Sequence, residues 1–215
     1  MTGFQNQNGR PILLGMVRAI QENKAYLGEV DGLIGDGDHG MNMNKGFTLY
    51  AEQLGDEDVS FTQGLNDLGL ILFNRIGGSM GPIYGTIFMD MADAAEDAET
   101  IDLPCLTKMM EAGLTGLYEI VEARPGDKSL VDTLAPAVAA LQTAQADPFA
   151  DALGKMADAA ERGWQSTKDL AAKYGRAARL GERSRGVLDA GATSCYILLR
   201  AMAEGMLAEL DAEKV

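Results

Sequence analysis

Asp31, Asp36 and Asp38 fall within eight residues of one another, interleaved with Gly32, Gly35, Gly37 and Gly40. Glycine lets the backbone fold sharply, so the three carboxylates can converge. Converging oxygens with no thiolate or second imidazole suit a hard cation such as Mg²⁺, which takes a few carboxylates and completes its octahedron with waters and phosphate oxygens. An EF-hand does not fit: counted from Asp36, Met41 stands where that loop needs glycine and Phe47 where it needs glutamate. The plain alternative for a bare Asp-Gly-Asp is an acidic surface turn.

Three further segments share the same glycine-rich character. Gly77-Gly78-Ser79-Met80-Gly81 precedes Pro82, so backbone N–H groups at a helix start could hold an anion. Pro125-Gly126-Asp127-Lys128 and Asp189-Ala190-Gly191-Ala192-Thr193-Ser194 are two more helix starts, each read singly as a turn or cap. Lys173, Arg176, Arg179, Arg183 and Arg185 gather five of the chain's 18 basic side chains. That run is either a phosphate-binding or partner-binding loop or a solvated basic face. His39 is the only histidine, which excludes an internal two-histidine phosphoryl relay and leaves a nucleotide contact or a capping role.

Apolar residues at i, i+3 and i+4, punctuated by Gly and Pro, predict eight helices near 10–29, 41–54, 61–76, 82–97, 104–123, 130–144, 149–173 and 191–212. No segment alternates strictly enough to predict a strand. Pro104 after Asp102, Asp147-Pro148 and Gly55 mark helix ends, and the narrow apolar face of the fourth helix, flanked by small residues, predicts close packing. If consecutive helices run antiparallel, the junctions after helices 1, 3, 5 and 7, which hold the four glycine-rich segments, lie at one end. The other junctions, around Asp56-Glu57-Asp58, Glu96-Asp97 and Asp147-Pro148, are short and acidic or plain. The fold class expected is a single all-α domain over 1–215, eight antiparallel helices forming a bundle or closed barrel with the chemistry at one end.

Composition agrees. The 215 residues include 30 Ala against 8 Val, which favours helix, while 26 Gly must fall outside helix interiors or be tolerated there at a cost. The net charge of −14 argues against nucleic acid and anionic membrane as partners. Cys105 and Cys195 are too few to staple the domain and read as small apolar side chains in a reducing compartment. The first ten residues lack the basic and apolar regions of a signal peptide, and the longest aliphatic run, Leu68 to Phe73, is too short to span a bilayer. A cytoplasmic location is expected.

The run Gly35-Asp-Gly-Asp-His-Gly-Met-Asn-Met-Asn-Lys-Gly-Phe47, with Asp31 upstream, resembles the signature of the L subunits of dihydroxyacetone kinases, the nucleotide-binding half of a two-part kinase. Gly77-Gly78, Gly81-Pro82, Pro125-Gly-Asp-Lys128, Gly175-Arg-Ala177 and Leu180-Gly-Glu-Arg-Ser184 follow in family order. The resemblance implies an eight-helix barrel with ADP or ATP and two Mg²⁺ at one end. Asp31, Asp36 and Asp38 would bind the metals. His39, Gly40, Met41, Asn42, Gly78, Ser79, Met80, Leu130, Arg176, Asp189, Ala190 and Gly191 would line the nucleotide. No nucleophile is implied on this chain: a separate K subunit would hold a short ketose, and the L chain would contribute metal and alignment, which carry most of phosphoryl transfer. The phosphoryl donor implied is either a phosphotransferase-system protein acting through an M-type subunit on bound ADP, the mode that the Asp-His-Gly and Asn-Met sequence resembles more, or ATP exchanged each cycle. A homodimer is also allowed.

Gly77-Gly-Ser-Met-Gly81 departs from the family's usual Gly-Gly-Ala/Thr-Ser-Gly, Asp189-Ala-Gly-Ala192 from its Asp-Pro-Gly-Ala, and Arg179-Leu180 from a common Ser-Tyr-Leu. These departures bear on substrate, partner and nucleotide exchange and keep two alternatives open: a kinase subunit for another ketose such as erythrulose, or a noncatalytic nucleotide-binding or interaction subunit. A phosphatase built on an Asp-x-Asp nucleophile would need a buried strand before the first Asp, and only Gly32-Leu-Ile-Gly35 is available.

Overall fold

The computed structural model of the chain describes residues 3–212, so residues 1–2 and 213–215 of the expected domain and N-terminal segment lie outside the described range. Among the described residues there are nine α-helices: α1 (Gly9–Glu22), α2 (Lys24–Ile34), α3 (His39–Leu54), α4 (Phe61–Arg75), α5 (Met80–Asp93), α6 (Leu103–Ile120), α7 (Val131–Thr143), α8 (Phe149–Ser166) and α9 (Ala190–Ala212). The count exceeds eight because the first predicted helix breaks at Asn23. The Asn23 side-chain amide and backbone N–H both donate to the Ala19 carbonyl, at 2.8 and 3.2 Å. A local side-chain bond of this kind competes with helix continuation. Both halves pack on α3 and on α9, so together they fill one place in the ring.

Each helix from α3 onward packs on the next, and α9 packs back on α1, which closes the ring. Phe47, Phe88, Met91, Met109, Leu134, Met156 and Met202, all buried, belong to one continuous apolar cluster. The close packing expected at the fourth predicted helix is present: a side chain at Gly69 of α4 would lie 3.0 Å from the Gly85 carbonyl oxygen of α5, so the two backbones meet without one. Caps follow the sequence signals. Asp102 accepts the Cys105 N–H at 2.9 Å with Pro104 in the first turn, and Gly55 closes α3 with φ of +55°.

Three expectations are corrected. Two short strands, β1 (Gly3–Gln5) and β2 (Thr100–Asp102), pair antiparallel with Phe4 opposite Ile101; three residues are too few for alternation to register in the sequence. The helix expected over 149–173 ends at Ser166, where the Ser166 and Thr167 hydroxyls turn back to the Gly163 and Trp164 carbonyls. The chain then runs through 3₁₀ turns at Thr167–Asp169 and Arg176–Ser184. Finally, α2 runs on to Ile34, so Asp31 sits on a helix and the linking loop is only 35–38. No helix among the described residues is long and apolar enough to cross a membrane.

Candidate functional site

Asp31 occupies the last turn of α2, Asp36 and Asp38 the loop after it. One carboxylate oxygen from each lies within 4.8 Å of the others. The loop geometry follows from its glycines. Gly37 takes φ of +78°, which L side chains avoid, and a side chain at Gly40 would collide with the Lys24 carbonyl where α3 starts against α2. The His39 N–H donates to Asp31 Oδ2 at 3.3 Å. Two unit charges 4 Å apart repel by about 4 kcal/mol at an effective dielectric near 20, a repulsion that a cation held among the three carboxylates would relieve. Their all-oxygen chemistry fits Mg²⁺. On the protein's side the counter-charge is Arg176, whose guanidinium pairs with Asp36 and lies 4.0 Å from Asp38.

Of the five clustered basic residues, Arg176 alone is ion-paired to these acids. Lys173 is bound to Asp127 at 2.5 Å and holds that carboxyl below its usual range. Arg185 binds Glu182 and the Asp169 carbonyl, and the Arg179 side chain turns back to the Arg176 carbonyl. Among these five residues, Arg176 is thus the one that faces the acidic loop.

The neighbouring junctions are tied to the acidic loop through buried polar contacts. His39 Nε2 lies 2.8 Å from Ser194 Oγ, Tyr84 OH lies 2.6 Å from the same oxygen, and Ser194 Oγ donates to the Gly191 carbonyl at 3.1 Å. Loop 35–38, α5 and the start of α9 thereby meet in the interior. Burial pushes the His39 pKa down to about 4 against the opposing pull of Asp31, so the ring is neutral near pH 7.

Leu130 faces Gly191, where a side chain would sit 3.6 Å from Leu130 Cβ. Asp189 caps α9 by accepting the Ala192 N–H at 2.8 Å. Its carboxyl is pushed up to about 6 by burial, with Asp132 and Asp31 adding to the rise, although the residue keeps some exposed surface. Ala190 is buried in the first turn of α9.

Around the nucleotide-lining positions implied by the resemblance, exposure varies. Met41 is 60% exposed, whereas Asn42 is half-buried with its N–H bonded to the Asp38 carbonyl at 3.0 Å. Gly78, at φ of +73°, and Ser79 are exposed ahead of α5, and Met80 packs partly on the core. The Ser79 hydroxyl makes no capping bond, and this turn joins the rest through Tyr84, one turn further along α5.

Asp132 and Tyr84 escape sequence reasoning as parts of this site, and Lys128 and Ser194 enter it only as members of glycine-containing turns, without a role of their own. Lys128 is 2% exposed and has φ of +60°; its ammonium donates to the Thr167 carbonyl at 2.5 Å and to the Val187 carbonyl. Asp132 accepts the Gly126 and Ser129 N–H groups at 2.5 and 2.8 Å. The 125–130 turn is thus clamped internally and pinned to the 167–189 segment. A short-range hint existed in the Gly-Asp-Lys turn, but the carbonyls that hold Lys128 lie 39 and 59 residues away.

The sequence profile of the DAK2 domain matches residues 33–204. The chain is 41% identical over 184 residues to the ADP-binding subunit DhaL of PEP-dependent dihydroxyacetone kinase 1 from Listeria innocua, covering 85% of this chain and 88% of that one. It is 37% identical to the corresponding Escherichia coli subunit, covering 83% and 86%. In fold it is similar to the dihydroxyacetone kinase of C. freundii solved in complex with AMP-PNP and Mg²⁺, with a TM-score of 0.68 at 22% identity over 94% of this chain. The chain spans 34% of that enzyme's length. The chain belongs to the DAK2-domain family.

Proposed function

We infer that the chain is the ADP-binding subunit of a dihydroxyacetone kinase, a phosphotransferase acting on an alcohol group together with a partner subunit. The observation that carries this reading is the convergence of Asp31, Asp36 and Asp38 within 4.8 Å at the end of the ring where the other glycine-rich junctions meet. High coverage of full-length relatives described as ADP-binding DhaL subunits supports it. Asp31, Asp36 and Asp38 would hold Mg²⁺, two ions in our reading. Bound there, the metal would neutralise phosphate charge and align the phosphoryl group.

The chain's own residues bind and orient. Arg176 offers a planar fork to phosphate oxygens from beside Asp36. The exposed turn at Gly78 and Ser79 leads into the N-terminus of α5, which presents free N–H groups to an anion. His39, Gly40, Met41, Asn42, Met80, Leu130 and the Asp189-Ala190-Gly191 turn complete the nucleotide site. His39, with its Nε2 2.8 Å from Ser194 Oγ, lines the nucleotide in this reading. The ketose resides on a K-type subunit, and a phosphotransferase-system protein recharges bound ADP through an M-type subunit. The description of two relatives as PEP-dependent supports that donor over exchanged ATP. We place the subunit in the cytoplasm with those proteins.

Calorimetry tests the reading: the chain binds ADP in the presence of Mg²⁺ and loses that binding when Mg²⁺ is chelated. Equal affinity with and without Mg²⁺ would sink it. Assays of the reconstituted subunits, first with ATP alone and then with the phosphotransferase proteins, distinguish the two donors.

A further inference from the structure

His39 Nε2, Tyr84 OH and the Gly191 carbonyl all converge on Ser194 Oγ, at 2.8, 2.6 and 3.1 Å. Ser194 is fully buried, and Tyr84 and His39 are 3% and 7% exposed, so the two hydroxyls and His39 Nε2 must find their partners within this group. The Tyr84 hydroxyl also lies 3.3 Å from the Gly191 carbonyl, which makes four contacts in all. A carbonyl can only accept, so Gly191 takes its proton from Ser194 or from Tyr84. In the first case Ser194 receives the Tyr84 O–H and the His39 Nε2–H; in the second it donates to Tyr84 and still receives the His39 Nε2–H. The alternative, in which Ser194 donates to His39, leaves only two protons for the four contacts, whereas either arrangement with His39 Nε2–H fills three.

We propose that Ser194, with Tyr84, is a positioning residue of the nucleotide site: it selects the Nε2–H tautomer of His39 and ties the start of α3, beside the carboxylate cluster, to the Gly191 turn of α9. The ring nitrogen left for any further partner, Nδ1, is then an acceptor. It suits a hydroxyl or amino donor of the nucleoside and not a phosphate oxygen. The nucleotide part of this proposal rests on the ADP-binding function inferred above, whereas the tautomer assignment does not.

The test uses the full chain, in which His39 is the only histidine, so ¹H–¹⁵N correlation spectra of the imidazole report on it without ambiguity. The expected wild-type result is a single Nε2–H tautomer. Ser194→Ala should give a mixture of tautomers and about tenfold weaker ADP binding with Mg²⁺, the scale of leaving one buried donor unmatched. Tyr84→Phe, which keeps the ring, should retain the tautomer and lose about two- to threefold in affinity. A side chain that merely supported the fold would lower the melting temperature and leave the tautomer alone.

A wild-type Nδ1–H tautomer overturns the proposal, as does Ser194→Ala unchanged in either tautomer or affinity. If Ser194→Ala does not fold, the wild-type tautomer and the Tyr84→Phe affinity decide. Failure of the wild-type chain to bind ADP with Mg²⁺ removes the proposed function, while the spectrum still decides the arrangement of His39.

Discussion

The two ends of the helical ring differ in where they keep their polar groups. At the end that holds the acidic loop, His39, Asp127, Lys128, Asp132, Thr133, Thr167, Ser184, Thr193 and Ser194 are all buried. The opposite end buries Asn6, Thr62 and Thr107 among the described residues, and its charged turns face water. There Arg10 ties the α3–α4 turn through the Gly55 and Glu57 carbonyls, and Lys155 pairs with Asp147 at 2.6 Å.

Burying polar groups costs free energy unless every donor and acceptor is matched, and such networks then hold one geometry rigidly. The matched network at the first end, including Trp164 Nε1 to Thr193 Oγ1 at 2.9 Å and Thr133 Oγ1 to the Ala192 carbonyl at 3.1 Å, is how four separate junctions keep a common arrangement. The other end needs only solubility and loop closure.

Mutations at matched positions should break or sharpen this contrast. The largest effect is expected from Asp36→Asn. Removing a metal ligand forfeits several kcal/mol of charge stabilisation, so Mg²⁺-dependent ADP affinity should fall more than ~100-fold by calorimetry. Turnover with the K-type partner should vanish. Because the substitution removes both a repelling charge and the exposed ion pair with Arg176, the melting temperature should change little.

Lys128→Met should come next, with a loss of about 2–3 kcal/mol in urea unfolding, since two buried carbonyls lose their charged donor. Gly40→Ala is expected to cost about 1–3 kcal/mol by the same measurement, because α2 and α3 must move apart. It should also weaken ADP binding, since the carboxylates shift with them. The smallest effect belongs to the opposite end. Lys155→Ala removes an exposed ion pair and should cost at most about 0.2–1 kcal/mol, with ADP affinity unchanged. A Lys155→Ala change in nucleotide affinity would show that the ends are coupled and undo the contrast.

Much of this was legible in the chain before folding. The Asp31, Asp36 and Asp38 spacing, the apolar periodicity and the sorting of rich and plain junctions depend on neighbours a few residues apart, where sequence carries direct information. The break at Asn23 was less so, because an Asn inside a periodic helix declares its alternative bond to Ala19 only once the backbone is in place. The basic run does not act as one patch: Arg176 pairs with Asp36, Lys173 with Asp127, and Arg185 with Glu182 and the Asp169 carbonyl, three different places.

Local pattern in the amino-acid sequence was enough for an all-α domain, for the carboxylates that would take a hard cation, and for the end at which they gather. The burial of Lys128, the pairing of His39 with Ser194 and Tyr84, and the singling out of Arg176 came from closure of the ring. Each depends on atoms brought together across 39 to 155 residues of chain. A hydrogen bond or ion pair over such a separation leaves no periodic trace, because it is made by the packing of whole helices and not by the spacing of the residues that share it.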